Sequence, residues 1–226
     1  MTSRYIALIP AYNPTSVLCD LVRNLCNAGF LIVIVDDGSK DSCSTIFDSC
    51  SSRAAILHHP KNAGKGQALK TGLAYIQNNF APDSVIVTVD ADGQHAVEDA
   101  LAICEHAKCH TRSLVLGARR FDKDATLRTR FRGKLTAFMF RRRTGVRLQD
   151  PTSGLRAFAF RMIPSLLRIN GERYDYEINV LLELARTKTR ILERTVKTVQ
   201  NDHYSIMHFK MVKEVLQAPD RLPNEH

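Results

Sequence analysis

Two apolar runs stop abruptly at carboxylates, and no other feature of the chain constrains its fold as tightly. Val33-Ile34-Val35 leads into Asp36-Asp37-Gly38-Ser39, and Val85-Ile86-Val87-Thr88-Val89 leads into Asp90-Ala91-Asp92-Gly93-Gln94-His95. Continuous rather than alternating apolar residues suit a strand covered on both faces in a parallel sheet. Open α/β sheets bind ligands at the carboxyl ends of their strands, so four carboxylates are expected on one binding edge. Asp90 and Asp92 are spaced to face one cation. Carboxylate oxygens suit Mg²⁺ or Mn²⁺, hard ions that commonly bridge to substrate phosphates. These features point to an enzyme that handles a nucleoside diphosphate.

The surrounding pattern agrees. Strands are expected at 5–9, 31–35, 54–57, 85–89 and 114–116, alternating with helices at 14–27, 41–50, 64–78 and 97–106. This βαβα order predicts a doubly wound, mostly parallel sheet flanked by helices. After Gly117 a basic segment at 119–143 has helical apolar spacing (Leu127, Phe131, Leu135, Phe138). A strand-like stretch at 154–160, a helix at 174–185, a strand at 191–199 and a short amphipathic helix at 207–216 follow. With 226 residues and no linker or repeat, a single domain is expected. Residues 1–117 would form its nucleotide half and 118–217 its acceptor half, with 218–226 a disordered tail.

The net charge of +9 is local. Residues 119–147 hold nine Arg and two Lys against Asp122 and Asp124, leaving 21 charges of each sign elsewhere. A concentrated patch implies an anionic partner: a diphosphate, a lipid phosphate or a membrane surface. It lacks the interleaved aromatics of a single-strand platform, so nucleic acid is not expected. The six cysteines form no CxxC pair or zinc spacing and read as reduced thiols of a cytoplasmic protein. Met1 leads straight into the first strand without a signal peptide, and no apolar run approaches the roughly 18 residues of a membrane span.

Five motifs occur in order: Ile9-Pro10-Ala11-Tyr12-Asn13, Val35-Asp36-Asp37-Gly38-Ser39, Asn62-Ala63-Gly64-Lys65-Gly66, Asp90-Ala91-Asp92-Gly93-Gln94-His95 and Asp150-Pro151-Thr152-Ser153-Gly154-Leu155-Arg156. Together they resemble the family 2 glycosyltransferases of GT-A fold. Within that family they look most like the dolichyl-phosphate mannose synthase and polyprenyl-phosphate glycosyltransferase branch. The resemblance spans about residues 4–200. It implies nucleotide-sugar contacts from Pro10, Ala11, Tyr12, Asp36, Asp37, Lys65, Asp90, Ala91 and Asp92. It also implies Mg²⁺ or Mn²⁺ on Asp90, Asp92 and Gln94, and catalytic roles for Asp150, Arg119 and Arg132, with Arg120 matched as well. The activity it implies is metal-dependent, inverting transfer from an NDP-sugar to a polyprenyl phosphate. The alternatives are a soluble transferase acting on a saccharide or protein hydroxyl, and a non-catalytic nucleotide-binding protein.

Each assignment has a plainer competitor. Asp36 and Asp37 could cap the following helix, and Gly64-Lys65-Gly66 could be a glycine turn with a solvated lysine. A hydroxyl acceptor needs a base, for which Asp150, Asp175 and Glu177 are rivals. A phosphate monoester, with a second pKa of about 6, is already largely ionised, so Asp150 would then orient its neighbours. His95, His203 and His208 are candidate phosphate contacts. The adjacent His58 and His59 would point to opposite sides of a strand and share no metal. Without membrane spans, contact with a cytoplasmic membrane face would come from basic amphipathic segments or a membrane-protein partner.

Overall fold

A computed structural model describes residues 4–119 and 127–197, with the backbone alone for 127–132. The expected helix at 207–216, the tail at 218–226, Arg120, His203 and His208 lie outside the described residues. So does the side chain of Arg132.

The alternation of strand and helix runs as the sequence implies. Strands β1 (Tyr5–Ala11), β2 (Leu31–Asp36), β3 (Ala55–His58) and β4 (Val85–Thr88) are joined by helices α1 (Val17–Asn27), α2 (Ser44–Cys50) and α3 (Lys65–Asn79). Helix α4 (Val97–Cys109) leads to β5 (Leu114–Arg119), followed by α5 (Leu127–Thr144) and β6 (Arg156–Ala159). A short helix α6 (Ile163–Leu167), α7 (Asp175–Arg186) and β7 (Ile191–Val196) complete the described fold. Helix α1 starts three residues later than expected. Asn13 takes a left-handed conformation (φ 48°), its N–H donates to Ser39 Oγ, and its side-chain oxygen accepts from Lys40 N–H. The turn thereby ties the loop after β1 to the loop after β2.

The seven strands form one sheet in the order β3-β2-β1-β4-β6-β5-β7. All neighbours pair parallel except β6, which runs antiparallel between β4 and β5. The sequence pattern gave 154–160 as strand-like but did not reveal this reversed insertion. α6, at 163–167, was not expected either.

The apolar runs are continuous because both faces are covered. Ile6 and Leu8 of β1, Val33 and Val35 of β2 and Ile86 of β4 pack under α3 and α7. Their alternates Ala7, Ile9, Ile32, Ile34, Val85 and Val87 pack under α1, α2 and α4. Period-two alternation therefore sorts one run into two cores.

The start of α3 sits tightly on the segment before α7. Gln67 N–H donates to Glu172 O at 2.8 Å. A Cβ on Gly66 would lie 2.5 Å from Tyr176 Cβ and 2.8 Å from Arg173 O. The backbone oxygen cannot step aside as a flexible side chain could. Gly66→Ala is therefore expected to lower stability by about 1–3 kcal/mol, read as a lower urea midpoint at unchanged slope.

Candidate active site

The carboxyl ends of β1, β2 and β4 meet the start of α3 and the start of α7 around a cavity of about 670 Å³. Pro10, Ala11 and Tyr12 enter it from the end of β1, and Asp37 from beyond β2. Gly64 and Lys65 come from the α3 start, and Asp90, Ala91, Asp92 and Gln94 from the loop after β4. The second half of the chain supplies Thr152, Arg173, Tyr174 and Glu177. Tyr12 leaves an aromatic face 53 % exposed. Most residues expected to contact a nucleotide-sugar are thus brought together, and Asp36 is not among those lining the cavity.

Asp36 and Asp37 act on their own loops. Asp36 accepts from Ser39 N–H at 2.9 Å, and its other oxygen lies 2.9 Å from His58 Nδ1. Asp37 accepts from Ala63 N–H at 2.9 Å and Gly64 N–H at 2.8 Å, with His59 Nδ1 2.8 Å away. His59 also contacts Thr71. The two histidines therefore serve separate carboxylates. Asp37 clamps the Asn62-Ala63-Gly64 turn, which aims Lys65.

Lys65 is the centre of the site. Its Nζ lies 2.7 Å from Asp90 Oδ1 and 2.9 Å from Glu177 Oε2. Burial works against the ammonium, but the two carboxylates outweigh it and push its pKa well above the usual lysine range. Burial alone would raise the Asp90 carboxyl. Lys65 and then His95, 3.6 Å away, hold it far below the ordinary value instead. The Asp90 carboxylate also rests on Gly154, where a Cβ would come within 2.4 Å of Oδ2. Glu177 lies on the apolar face of α7, in register with Val180, Leu181 and Leu184. That i, i+3, i+4, i+7 spacing was the available signal that this acid is buried; as a rival base or helix-start acid its pairing with Lys65 went unread.

Asp90, Asp92 and Gln94 present hard oxygen donors to one cavity. Burial, and then the Asp90 charge, raise the Asp92 carboxyl. Two carboxylates that repel each other beside a cavity suit a cation. Among the described residues no three His, Cys, Asp or Glu converge as a metal group. The fitting donor set is therefore two carboxylates and an amide, with substrate phosphate and water completing it. Mg²⁺ is commonly held in this manner.

Arg119 and Asp150 face each other instead of the cavity. Arg119 Nε donates to Asp150 Oδ2 at 2.6 Å and Nη2 to Oδ1 at 3.1 Å, and Thr152 Oγ donates to Oδ1 at 2.7 Å. The Asp150 side chain is 1 % exposed. Glu193 of β7 accepts from the N–H groups of Gln149 and Asp150, fixing the loop from behind. Arg156, buried in β6, donates to Ser153 O at 2.8 Å and to Glu177 O at 2.6 Å. It fastens the Thr152-Ser153-Gly154 loop to α7. Its sequence signal is its place at the end of the Asp150–Arg156 motif. Asp175 accepts from Arg173 N–H and shapes the turn before α7.

The site can be set beside known proteins. Residues 6–166 match the family model for Glycosyl transferase family 2. A UDP-N-acetylglucosamine–dolichyl-phosphate N-acetylglucosaminyltransferase of Methanococcus voltae is 29% identical over 219 residues, covering 87% of this chain and 86% of its own. A polyprenol monophosphomannose synthase of Mycolicibacterium smegmatis is 28% identical over 193 residues, covering 79% and 71%. The glucosyl-3-phosphoglycerate synthase of Mycobacterium tuberculosis, solved with Mn²⁺, UDP and glucosyl-3-phosphoglycerate, superposes with a TM-score of 0.71 at 18% identity, covering 95% and 77%. That likeness shows the GT-A fold.

Removing Lys65 strips the buried Glu177 carboxylate and the partly exposed Asp90 carboxylate of their counter-ion, so Lys65→Met should lose about 3 kcal/mol at pH 7, the low end for a broken buried pair. The depressed Asp90 carboxyl adds stability that is present above about pH 4 and lost as pH falls through its folded value. Lys65→Met lacks the main source of that depression. The stability gap between unmodified protein and variant should therefore narrow below about pH 4, as urea titrations across pH would show.

Proposed function

The chain belongs to glycosyl transferase family 2, and from that premise we propose that this glycosyltransferase moves a sugar from an NDP-sugar to a polyprenyl phosphate with inversion. The proposal includes Mg²⁺ or Mn²⁺ on Asp90, Asp92 and Gln94. When bound, the ion would supply positive charge to the departing diphosphate. Pro10, Ala11 and Tyr12 would hold the nucleoside, with Tyr12 offering its exposed ring. Asp37 and Asp90 keep the loops in place, and Lys65 fixes the Asp90 carboxylate against Gly154.

One observation carries the choice of acceptor. Of the four carboxylates lining the cavity, Asp37 is bound to backbone N–H groups, and Asp90 and Glu177 are bound to Lys65. Only Asp92 remains, and it belongs to the candidate metal set. Asp150 is closed off by Arg119. A hydroxyl acceptor would need a base that no described cavity residue offers, whereas a phosphate acceptor arrives ionised. Its oxygen would attack the anomeric carbon as the bond to the β-phosphate breaks, a single displacement that inverts the centre. Asp150 and Arg119 then act as positioning residues for Thr152. Arg132, for which the resemblance implies a catalytic role, would contact the acceptor phosphate. The polyprenyl-phosphate substrates named for two relatives support this reading.

No helix among the described residues is long and apolar enough to cross a membrane. Helix α5 provides a surface for peripheral contact. Its sequence holds seven basic residues and no acid. Leu135 and Phe138, 39 % and 61 % exposed, lie among exposed Lys134, Arg141 and Arg142. Positions 134, 138, 141 and 142 share one helical face. Basic helices with exposed apolar residues bind anionic bilayers.

The test is incubation with Mn²⁺, radiolabelled NDP-sugars and a short polyprenyl phosphate, followed by extraction into organic solvent. Label is expected in the organic phase, and Asp92→Ala should lower it at least about 100-fold, as loss of several kcal/mol of charge stabilisation would. Label appearing only on a free saccharide or peptide hydroxyl would contradict the acceptor assignment. Reversing Lys134, Arg141 and Arg142 to Glu should cut sedimentation with phosphatidylserine vesicles at least about tenfold, at roughly 1 kcal/mol per basic residue. Hydrolysis of the sugar nucleotide in solution should be unaffected.

A further inference from the structure

The diphosphate of a donor and the phosphate of an acceptor both need positive charge, and the described cavity spends most of its own internally. Lys65 is engaged by Asp90 and Glu177, and Arg119, which does not line the cavity, by Asp150. Among the described residues, one cationic side chain lines the cavity without an ion pair: Arg173, in the turn that leads into α7.

We infer that Arg173 is a phosphate-binding residue of this site, contacting either the donor diphosphate or the acceptor phosphate. The inference rests on the cavity's assignment to sugar transfer. An exposed arginine is most often merely solvated, but three features set this one apart. Its stem lies over Gly64, where a Cβ would come within 2.6 Å of Arg173 Cγ and 2.5 Å of Glu172 O. Gly64 also has φ 104°, a conformation that side-chain-bearing residues rarely adopt, so the turn leaves room for the stem. The backbone beneath is fixed at two points: Arg173 N–H donates to Asp175 Oδ1 at 2.9 Å, and Gln67 N–H donates to Glu172 O. The same cavity holds the Asp90/Asp92/Gln94 donors and Thr152, so a phosphate there can meet both halves of the chain. A guanidinium fork offers such an oxyanion two parallel hydrogen bonds, which an ammonium cannot.

Isothermal titration calorimetry in Mg²⁺ buffer can separate the two sources, with inorganic pyrophosphate and geranyl phosphate as probes. The full chain is compared with Arg173→Gln and Arg173→Lys, whose melting temperatures confirm folding. Arg173→Gln should weaken at least one probe tenfold or more, and Arg173→Lys should recover part of the loss. A loss confined to pyrophosphate assigns Arg173 to the donor, and a loss confined to geranyl phosphate assigns it to the acceptor; either supports the inference. Affinities within twofold for both probes, or no binding of either by the unmodified protein, would overturn it. The radiolabel assay keeps the two failures apart. Transfer by the unmodified protein alongside unchanged Arg173→Gln affinities leaves sugar transfer standing and removes this contact. Arg173-dependent phosphate binding without transfer to any acceptor does the reverse.

Discussion

The Lys65 ammonium, held between Asp90 and Glu177, is the interaction on which the rest of the site depends. It joins three segments far apart in sequence: the start of α3, the end of β4 and the first turn of α7. Each of the two acids also meets a neighbour. Asp90 lies against Gly154, and the Glu177 carbonyl accepts from Arg156, which also holds Ser153. Glu177 is buried and Lys65 nearly so, and charges withdrawn from water are costly unless paired and hydrogen-bonded. The arrangement is therefore collective: moving one member leaves the next without a partner. Its chemical product is an Asp90 carboxylate that stays ionised and correctly aimed beside the exposed Asp92.

The second half of the chain is built by the same rule. β6 runs antiparallel between β4 and β5, which delivers Thr152-Ser153-Gly154 to the carboxyl edge of β4. Glu193, Asp150 and Arg119 then lock that loop from behind. The cavity is left rich in engaged carboxylates and poor in uncommitted positive charge. This makes an anionic acceptor and an external cation mutually supportive. The basic helix α5 places further positive charge on the same half of the chain.

Much of this was legible in the sequence because its signals are local. The apolar runs of β1, β2 and β4 gave buried parallel strands, and the carboxylates ending β2 and β4 gave the binding edge. What stayed hidden was pairing across distance. Spacing places Asp150 near a loop but does not reveal that Arg119, 31 residues earlier, consumes it. The sequence offers Lys65 as a nucleotide-sugar contact or as a solvated lysine, and neither reading pairs it with Glu177, which α7 brings to it. Arg173 lies among the acids Glu172, Asp175 and Glu177, whereas the concentration of basic residues at 119–147 is what signals an anionic partner in the sequence. The reversed direction of β6 depends on how α5 returns the chain, which a four-residue strand cannot encode.

Thermal unfolding with UDP-, GDP- and TDP-sugars, each with Mn²⁺ or with chelator, tests most directly whether this edge is a metal-assisted sugar-nucleotide site. A ligand that binds only the folded state, at a hundred times its Kd, adds about 2.7 kcal/mol. For a chain of this size that is a rise in Tm of roughly 5–10 °C. At least one donor should give such a rise with Mn²⁺, shrinking with chelator and in Asp92→Ala. A rise of equal size in chelator and in Asp92→Ala, or none with any donor, would contradict it.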